Sequence, residues 1–140
     1  MAITFDSENI EFPNLKKRET STWIKNIANS FSKKLGDVAY LFCNDNKILD
    51  INRQYLNHDF YTDIITFDYS EGDKISGDIF ISLDTVKTNS QKYNTDYQEE
   101  LYRVIIHGVL HLCGLDDKSD ADSIEMREAE DRALKQLFNN

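Results

Sequence analysis

Between Glu19 and Leu35 the apolar residues Trp23, Ile27 and Phe31 fall four apart among polar neighbours, which predicts an amphipathic helix closed by Gly36. Ahead of it, Ala2–Phe5 reads as a short strand. Val38–Cys43 is a β-branched and aromatic run suited to a strand. Asn44 or Asp45 then stands where a cap opens a helix through Ile48, Leu49, Ile51, Asn52 and Tyr55, ending before His58. Asp63–Tyr69 and Ser76–Ser82 are two further strands, joined as a hairpin by the turn residues Glu71, Gly72, Asp73 and Lys74. Helices are predicted over Leu83–Lys92, from Asp96 to about Cys113 with Gly114 as the left-handed stop, and from Ala121 to Phe138 with Ile124, Leu134 and Leu137 buried. Strands and helices mingle without strict alternation, so the expected fold class is α+β, a mixed β-sheet of about four strands packed against helices.

At 140 residues the chain suffices for a single domain with its own core, and it carries one Pro, five Gly and no linker or repeat to divide it. The longest apolar stretch, Val104–Leu115, is interrupted by two His and two Gly, which predicts no membrane span. The first residues lack a basic segment followed by an apolar one, and Cys43 and Cys113 are too few for a disulfide framework. The expectation is a cytoplasmic protein with reduced thiols. Sixteen Lys and Arg against 25 Asp and Glu give a net charge of −9, which argues against a broad basic footprint for nucleic acid. What positive charge is clustered, Lys16, Lys17 and Arg18 with Lys33 and Lys34, reads as a solvated helix face or as a local substrate-binding patch.

The chemistry is concentrated in His107-Gly108-Val109-Leu110-His111-Leu112-Cys113-Gly114-Leu115-Asp116-Asp117. Residues four apart on a helix differ by about 40°, so His107 and His111 project from one face and their imidazoles can share one ion. Once Gly114 turns the chain, Asp116 or Asp117 can return a third ligand, leaving a fourth position open for water. Two neutral imidazoles and a carboxylate suit one Zn²⁺ per chain, which lowers the pKa of bound water towards about 7 and so supplies a hydroxide nucleophile. Cys113 falls about 200° from His111 on the helix and reads as a core thiol. Glu100, on nearly the same stripe as His107, is a candidate to hydrogen-bond a ligand imidazole, or equally an exposed partner of Arg103.

This segment resembles the HGxLHLxGxDH signature of the YbeY family of single-strand-specific metalloendoribonucleases. Two further blocks extend the resemblance over residues 50–117: Asn52-Arg53-Gln54-Tyr55 with Thr62-Asp63-Ile64-Ile65-Thr66-Phe67, and Gly77-Asp78-Ile79-Phe80-Ile81-Ser82. Asp117 stands where the family has a third histidine, and Leu56 where it has an arginine, whose role would be lost or moved to Arg53 or His58. The resemblance implies an α+β fold with the metal-binding helix central, and endonucleolytic cleavage of single-stranded rRNA. It also implies a part in 3′-end maturation of small-subunit rRNA and in ribosome quality control, with the ribosomal small subunit or its associated proteins as partners. Thr62, Asp63 and Asp78 read more simply as strand caps.

Two other classes compete. A zincin-like protease shares the spacing of the third ligand, but its mechanism places a general-base Glu directly after the first His, where this chain has Gly108. A ribosome-associated assembly protein with weak or no nuclease activity would keep the fold without the chemistry. Under the nuclease reading, the net acidity predicts weak intrinsic affinity for free RNA, with Lys16 to Arg18, Lys33 and Lys34 forming a single basic edge beside the site.

Overall fold

The computed structural model describes residues 2–56 and 62–138. Four strands, β1 (Ile3–Ser7), β2 (Lys34–Cys43), β3 (Ile64–Asp68) and β4 (Lys74–Ser82), form one sheet in the order β1-β2-β4-β3. β1 with β2 and β2 with β4 are parallel, whereas β3 runs antiparallel to β4 as the turn at Glu71–Lys74 requires. Around the sheet lie α1 (Lys17–Ser30), α2 (Asp45–Ile51), which runs into a π-helical turn at Asn52–Leu56, α3 (Leu83–Lys92), α4 (Tyr97–Leu112) and α5 (Asp120–Phe138). The chain is thus a single α+β domain with a mixed four-stranded sheet and five α-helices among the described residues. His58 lies outside them.

One face of the sheet carries Val38, Tyr40, Phe42, Ile79 and Ile81, all essentially fully buried, and α4 lies against it. Leu101, Val104, Ile105, Ile106, Val109, Leu110 and Leu112 are buried along α4, so this helix is wrapped by sheet and neighbouring helices on most of its circumference. Each such side chain contributes about 1.5–3 kcal/mol of burial energy, which makes α4 the structural centre of the domain. Gly108 permits the close approach, since a Cβ there would sit 2.9 Å from Ile79 Cδ1. Two buried hydrogen bonds fix the layers: Tyr40 Oη donates to the Ile105 carbonyl at 2.8 Å, and Trp23 Nε1 on α1 donates to the Ala133 carbonyl on α5 at 2.8 Å. On the opposite face, Ile48 and Ile51 of α2 close a smaller core with Cys43 and Ile65.

Two expectations need correction. The first helix ends at Ser30, not Leu35, and Gly36 does not stop it. The N–H groups of Phe31 and Lys33 both reach the Ala28 carbonyl at 3.0 Å, Ser32 takes a left-handed φ of 60°, and Lys34 already pairs with Lys74. Phe31 and Leu35 prolong the helical spacing although the backbone has turned. Gly36 sits in a bulge of β2, where a Cβ would lie 2.6 Å from the Ile75 carbonyl oxygen. In α5 the buried stripe is Met126, Ala129, Glu130, Ala133 and Leu134 with Leu137 half-buried, and Ile124 is 60% exposed. Ile124 lies about 200° from Met126 on the helix, off the packed stripe.

Candidate metal centre

Along α4 the half-buried positions Arg103, His107 and His111 recur every four residues and form one polar stripe on an otherwise apolar helix. Asp96 caps the helix start, accepting from the Glu99 N–H at 3.0 Å. At the other end the Gly114 N–H reaches the His111 carbonyl at 3.0 Å and the Leu115 N–H the Leu110 carbonyl at 3.1 Å, with Gly114 at φ 108°. This is the Schellman pattern, and burial of Leu115 anchors the turn. Asp116 and Asp117 emerge exposed from it. Ser119 Oγ then accepts the Asp122 N–H at 3.1 Å and opens α5, which returns across α4.

That return brings Glu130 to the site. Its carboxylate, 6% exposed, places Oε2 2.7 Å from His107 Nδ1 and Oε1 2.9 Å from Arg103 Nη1, while Arg103 Nη2 reaches Asp131 at 2.8 Å. With Nδ1–H donating to Glu130, the lone pair of His107 sits on Nε2, 3.6 Å from Asp117 Oδ2. In that tautomer the ring nitrogen and the carboxylate face each other as two electron-pair donors, a pairing that a cation between them would join. Burial pulls the His107 imidazolium down, but the hydrogen bond and charge of Glu130, with Asp117 and Asp63, outweigh it and the net direction is upward. Burial pushes the Asp63 carboxyl up against the opposing pull of His107, and raises Glu100 in the same way against Arg103.

These groups line one cleft of about 480 Å³, with His107, His111, Asp117, Glu130, Asp63, Glu100, Arg103 and Arg127 on its wall. Thr62, Thr66, Asn89 and Tyr93 complete its polar rim. Among the described residues no three His, Cys, Asp or Glu side chains are already drawn together around one point. The donor set nevertheless fits a zinc ion in its chemistry: a neutral imidazole whose second nitrogen is tied to a buried carboxylate, a facing carboxylate at 3.6 Å, and a second imidazole one turn on.

The other sequence candidates are distributed differently. Glu100 lines the cleft, yet the carboxylate on the His107 ring is that of Glu130. Arg53 and Leu56 lie in the exposed π-helical turn and line no part of the cleft. Lys16, Lys17 and Arg18 cluster at the start of α1, and Lys33 and Lys34 follow its end, 14 helical residues or about 20 Å away. They form no single edge, and none of the five lines the cleft. Glu130 is the partner that the sequence reading missed, and Arg103, expected beside Glu100, pairs with Glu130 and Asp131 instead. The signals were a carboxylate inside the apolar stripe of α5 and a third polar residue in the stripe of α4.

A mixed sheet beneath a two-histidine helix, opening on a carboxylate-lined cleft, defines an α+β protein whose cleft gathers imidazole and carboxylate side chains, the kinds that hold a metal ion. The sequence model of Endoribonuclease YbeY matches residues 2–138, and the chain belongs to that family of RNA hydrolases. A protein of that name from Bacteroides thetaiotaomicron is 58% identical over 134 residues, covering 96% of this chain and 98% of its own. One from Bacteroides fragilis is 60% identical over 134 residues, covering 96% of each. One from Porphyromonas gingivalis is 48% identical over 135 residues, covering 96% of this chain and 89% of its own. A solution structure from Thermotoga maritima superposes with a TM-score of 0.72 at 26% identity, covering 99% of this chain and 90% of that one.

Proposed function

We propose that the chain is a single-strand-specific endoribonuclease that matures the 3′ end of small-subunit rRNA and serves ribosome quality control in the cytoplasm. The observation that carries this reading is the His107–Glu130 pair, which turns His107 Nε2 towards Asp117 in the cleft of a chain that belongs to an endoribonuclease family. His107, His111 and Asp117 would hold one zinc ion, whose chemistry when bound is to counter charge on a phosphodiester and to acidify water.

The chain's own residues supply the rest. Glu130 keeps the proton of His107 on Nδ1 and so keeps Nε2 free as a donor, and Arg103 with Asp131 prevents the Glu130 carboxylate from swinging away. Tyr93, 62% exposed at the cleft rim, offers a ring face on which an unpaired base stacks, an interaction open to single strands and closed to a base within a duplex. Cys43 and Cys113 are free and buried, in keeping with a reducing compartment. With a charge of −9, the protein draws its specificity for rRNA from a ribosomal particle or an associated protein more than from its own affinity. Among the described residues no helix is long and apolar enough to cross a membrane.

Gly108 weighs against peptide hydrolysis. A side chain at the position where a zincin carries its general base would run into Ile79 and Ile64. The test is to incubate purified protein with single-stranded RNA, duplex RNA, ribosomal particles and casein, with and without chelator. Chelator-sensitive cleavage of single-stranded RNA that His111→Ala abolishes supports the reading. Casein cleavage, or RNA cleavage indifferent to chelator and to His111→Ala, refutes it. Co-sedimentation with ribosomal subunits without any cleavage would instead assign the chain to assembly.

A further inference from the structure

An RNA strand entering the cleft brings a negative charge with every nucleotide to a wall that already carries four carboxylates. Two guanidiniums face them, and they are not equivalent. Arg103 has only 12% of its side chain exposed and is committed to two ion pairs, with Glu130 at 2.9 Å and Asp131 at 2.8 Å. Arg127 is exposed on α5, lines the same cleft, and makes no hydrogen bond or ion pair among the described residues. Its electrostatic influence falls on Glu100, across the cleft on α4. It lies three residues before Glu130, so the helix that presents the buried carboxylate to His107 presents this guanidinium about one turn away, at an exposed position.

We propose that Arg127 is the residue that grips a backbone phosphate of the RNA strand lying in the cleft, an inference that rests on the endoribonuclease reading. A planar guanidinium binds phosphate through two parallel N–H···O bonds, and an exposed, unpaired one on the cleft wall reaches the phosphate without first breaking an ion pair. The lysine clusters of α1 and β2 line no part of the cleft, so among the described residues Arg127 is the one uncommitted cation on its wall. It is a substrate-binding residue and holds no part of the fold.

The test compares the full chain with Arg127→Ala and Arg127→Lys. Binding of a fluorescein-labelled single-stranded RNA to chelator-stripped protein is followed by anisotropy across a salt series, and KM and kcat are measured with the zinc-loaded proteins. Arg127→Ala should weaken binding about tenfold at low salt and flatten the plot of log affinity against log salt by about 0.7, the loss of one phosphate contact to a single strand. KM should rise by a similar factor at nearly constant kcat, with an unchanged thermal midpoint. Arg127→Lys should restore the salt slope and part of the affinity. Parent protein that cleaves RNA alongside an Arg127→Ala variant with the same salt slope and KM overturns this inference alone. Parent protein that neither binds nor cleaves RNA overturns it together with the function on which it rests.

Discussion

Glu130→Gln tests the centre of the site with one nearly isosteric change. The carboxylate accepts from Arg103 at 2.9 Å and from His107 at 2.7 Å while only 6% exposed, so the substitution removes a buried charge from two charge-assisted hydrogen bonds. Removing one partner of a buried ion pair costs about 3–5 kcal/mol when the other charge is orphaned. Here Arg103 keeps Asp131 at 2.8 Å, and the glutamine retains one acceptor, so the loss should be nearer about 2 kcal/mol. Urea unfolding of chelator-treated protein measures it. The same change frees the His107 ring to exchange tautomers and reorient, and loss of such a partner behind a ligand imidazole weakens metal affinity about 10- to 100-fold. Competition with a chromophoric chelator reads that factor directly. A Glu130→Gln protein that is destabilised yet binds zinc as tightly as the parent would show that Glu130 serves only the ion pair with Arg103, and the argument for a held Nε2 would fall.

Asp117→Ala should lower zinc occupancy measured by metal analysis, and Asp116→Ala should lower it less, because Asp117 is the carboxylate that faces His107 at 3.6 Å. Full occupancy in Asp117→Ala would refute the ligand assignment. Gly77→Ala should destabilise by about 1–3 kcal/mol in thermal unfolding, since the added Cβ lies 2.5 Å from the Phe67 carbonyl oxygen and 3.0 Å from Leu112 Cδ2, backbone on one side and packed core on the other. Burial pushes the Cys43 thiol from 9.0 up to about 12, so the folded state favours the neutral form. Stability from this group is complete below about pH 9 and is lost as pH rises towards 12. The native protein should therefore resist iodoacetamide at Cys43 at pH 8.5 and react once denatured, with the site of alkylation read by mass spectrometry.

The strands were legible because β2, β3 and β4 are dense in branched and aromatic residues, and the central strands of the mixed sheet alternate buried positions on one face with half-buried ones on the other. The helix of the metal motif was legible for another reason: two histidines and a glycine interrupt an apolar run at fixed spacing, and Gly114 takes the positive φ expected of a helix stop. The end of α1 was not, because Phe31 and Leu35 continue the four-residue spacing after the chain has reversed at Ser32, and a periodic pattern carries no record of where backbone hydrogen bonds stop. Ile124 misled in the same way, as an apolar side chain at a helix start that the fold leaves exposed. Glu130 was hidden by its distance in sequence. It lies 23 residues from His107, and only the turn through Gly114 and the Ser119 cap sets α5 at the angle that closes the pair.

Charge is where local geometry departs most from the global sum. The cleft wall carries Asp63, Glu100, Asp117 and Glu130 against Arg103 and Arg127, a formal excess of two negative charges, histidines left aside. A divalent ion would cancel that excess, whereas a phosphate entering without the ion adds to it. Under the proposed function the two ligands are therefore coupled: zinc should raise the affinity for single-stranded RNA, and RNA must raise the affinity for zinc by the same factor. The coupling is set by charges within the cleft, where screening is incomplete, so it should persist at salt concentrations that abolish any contribution from the outlying lysines. Equal RNA affinity with and without zinc, measured on a cleavage-resistant strand, would mean that the strand does not lie in this cleft.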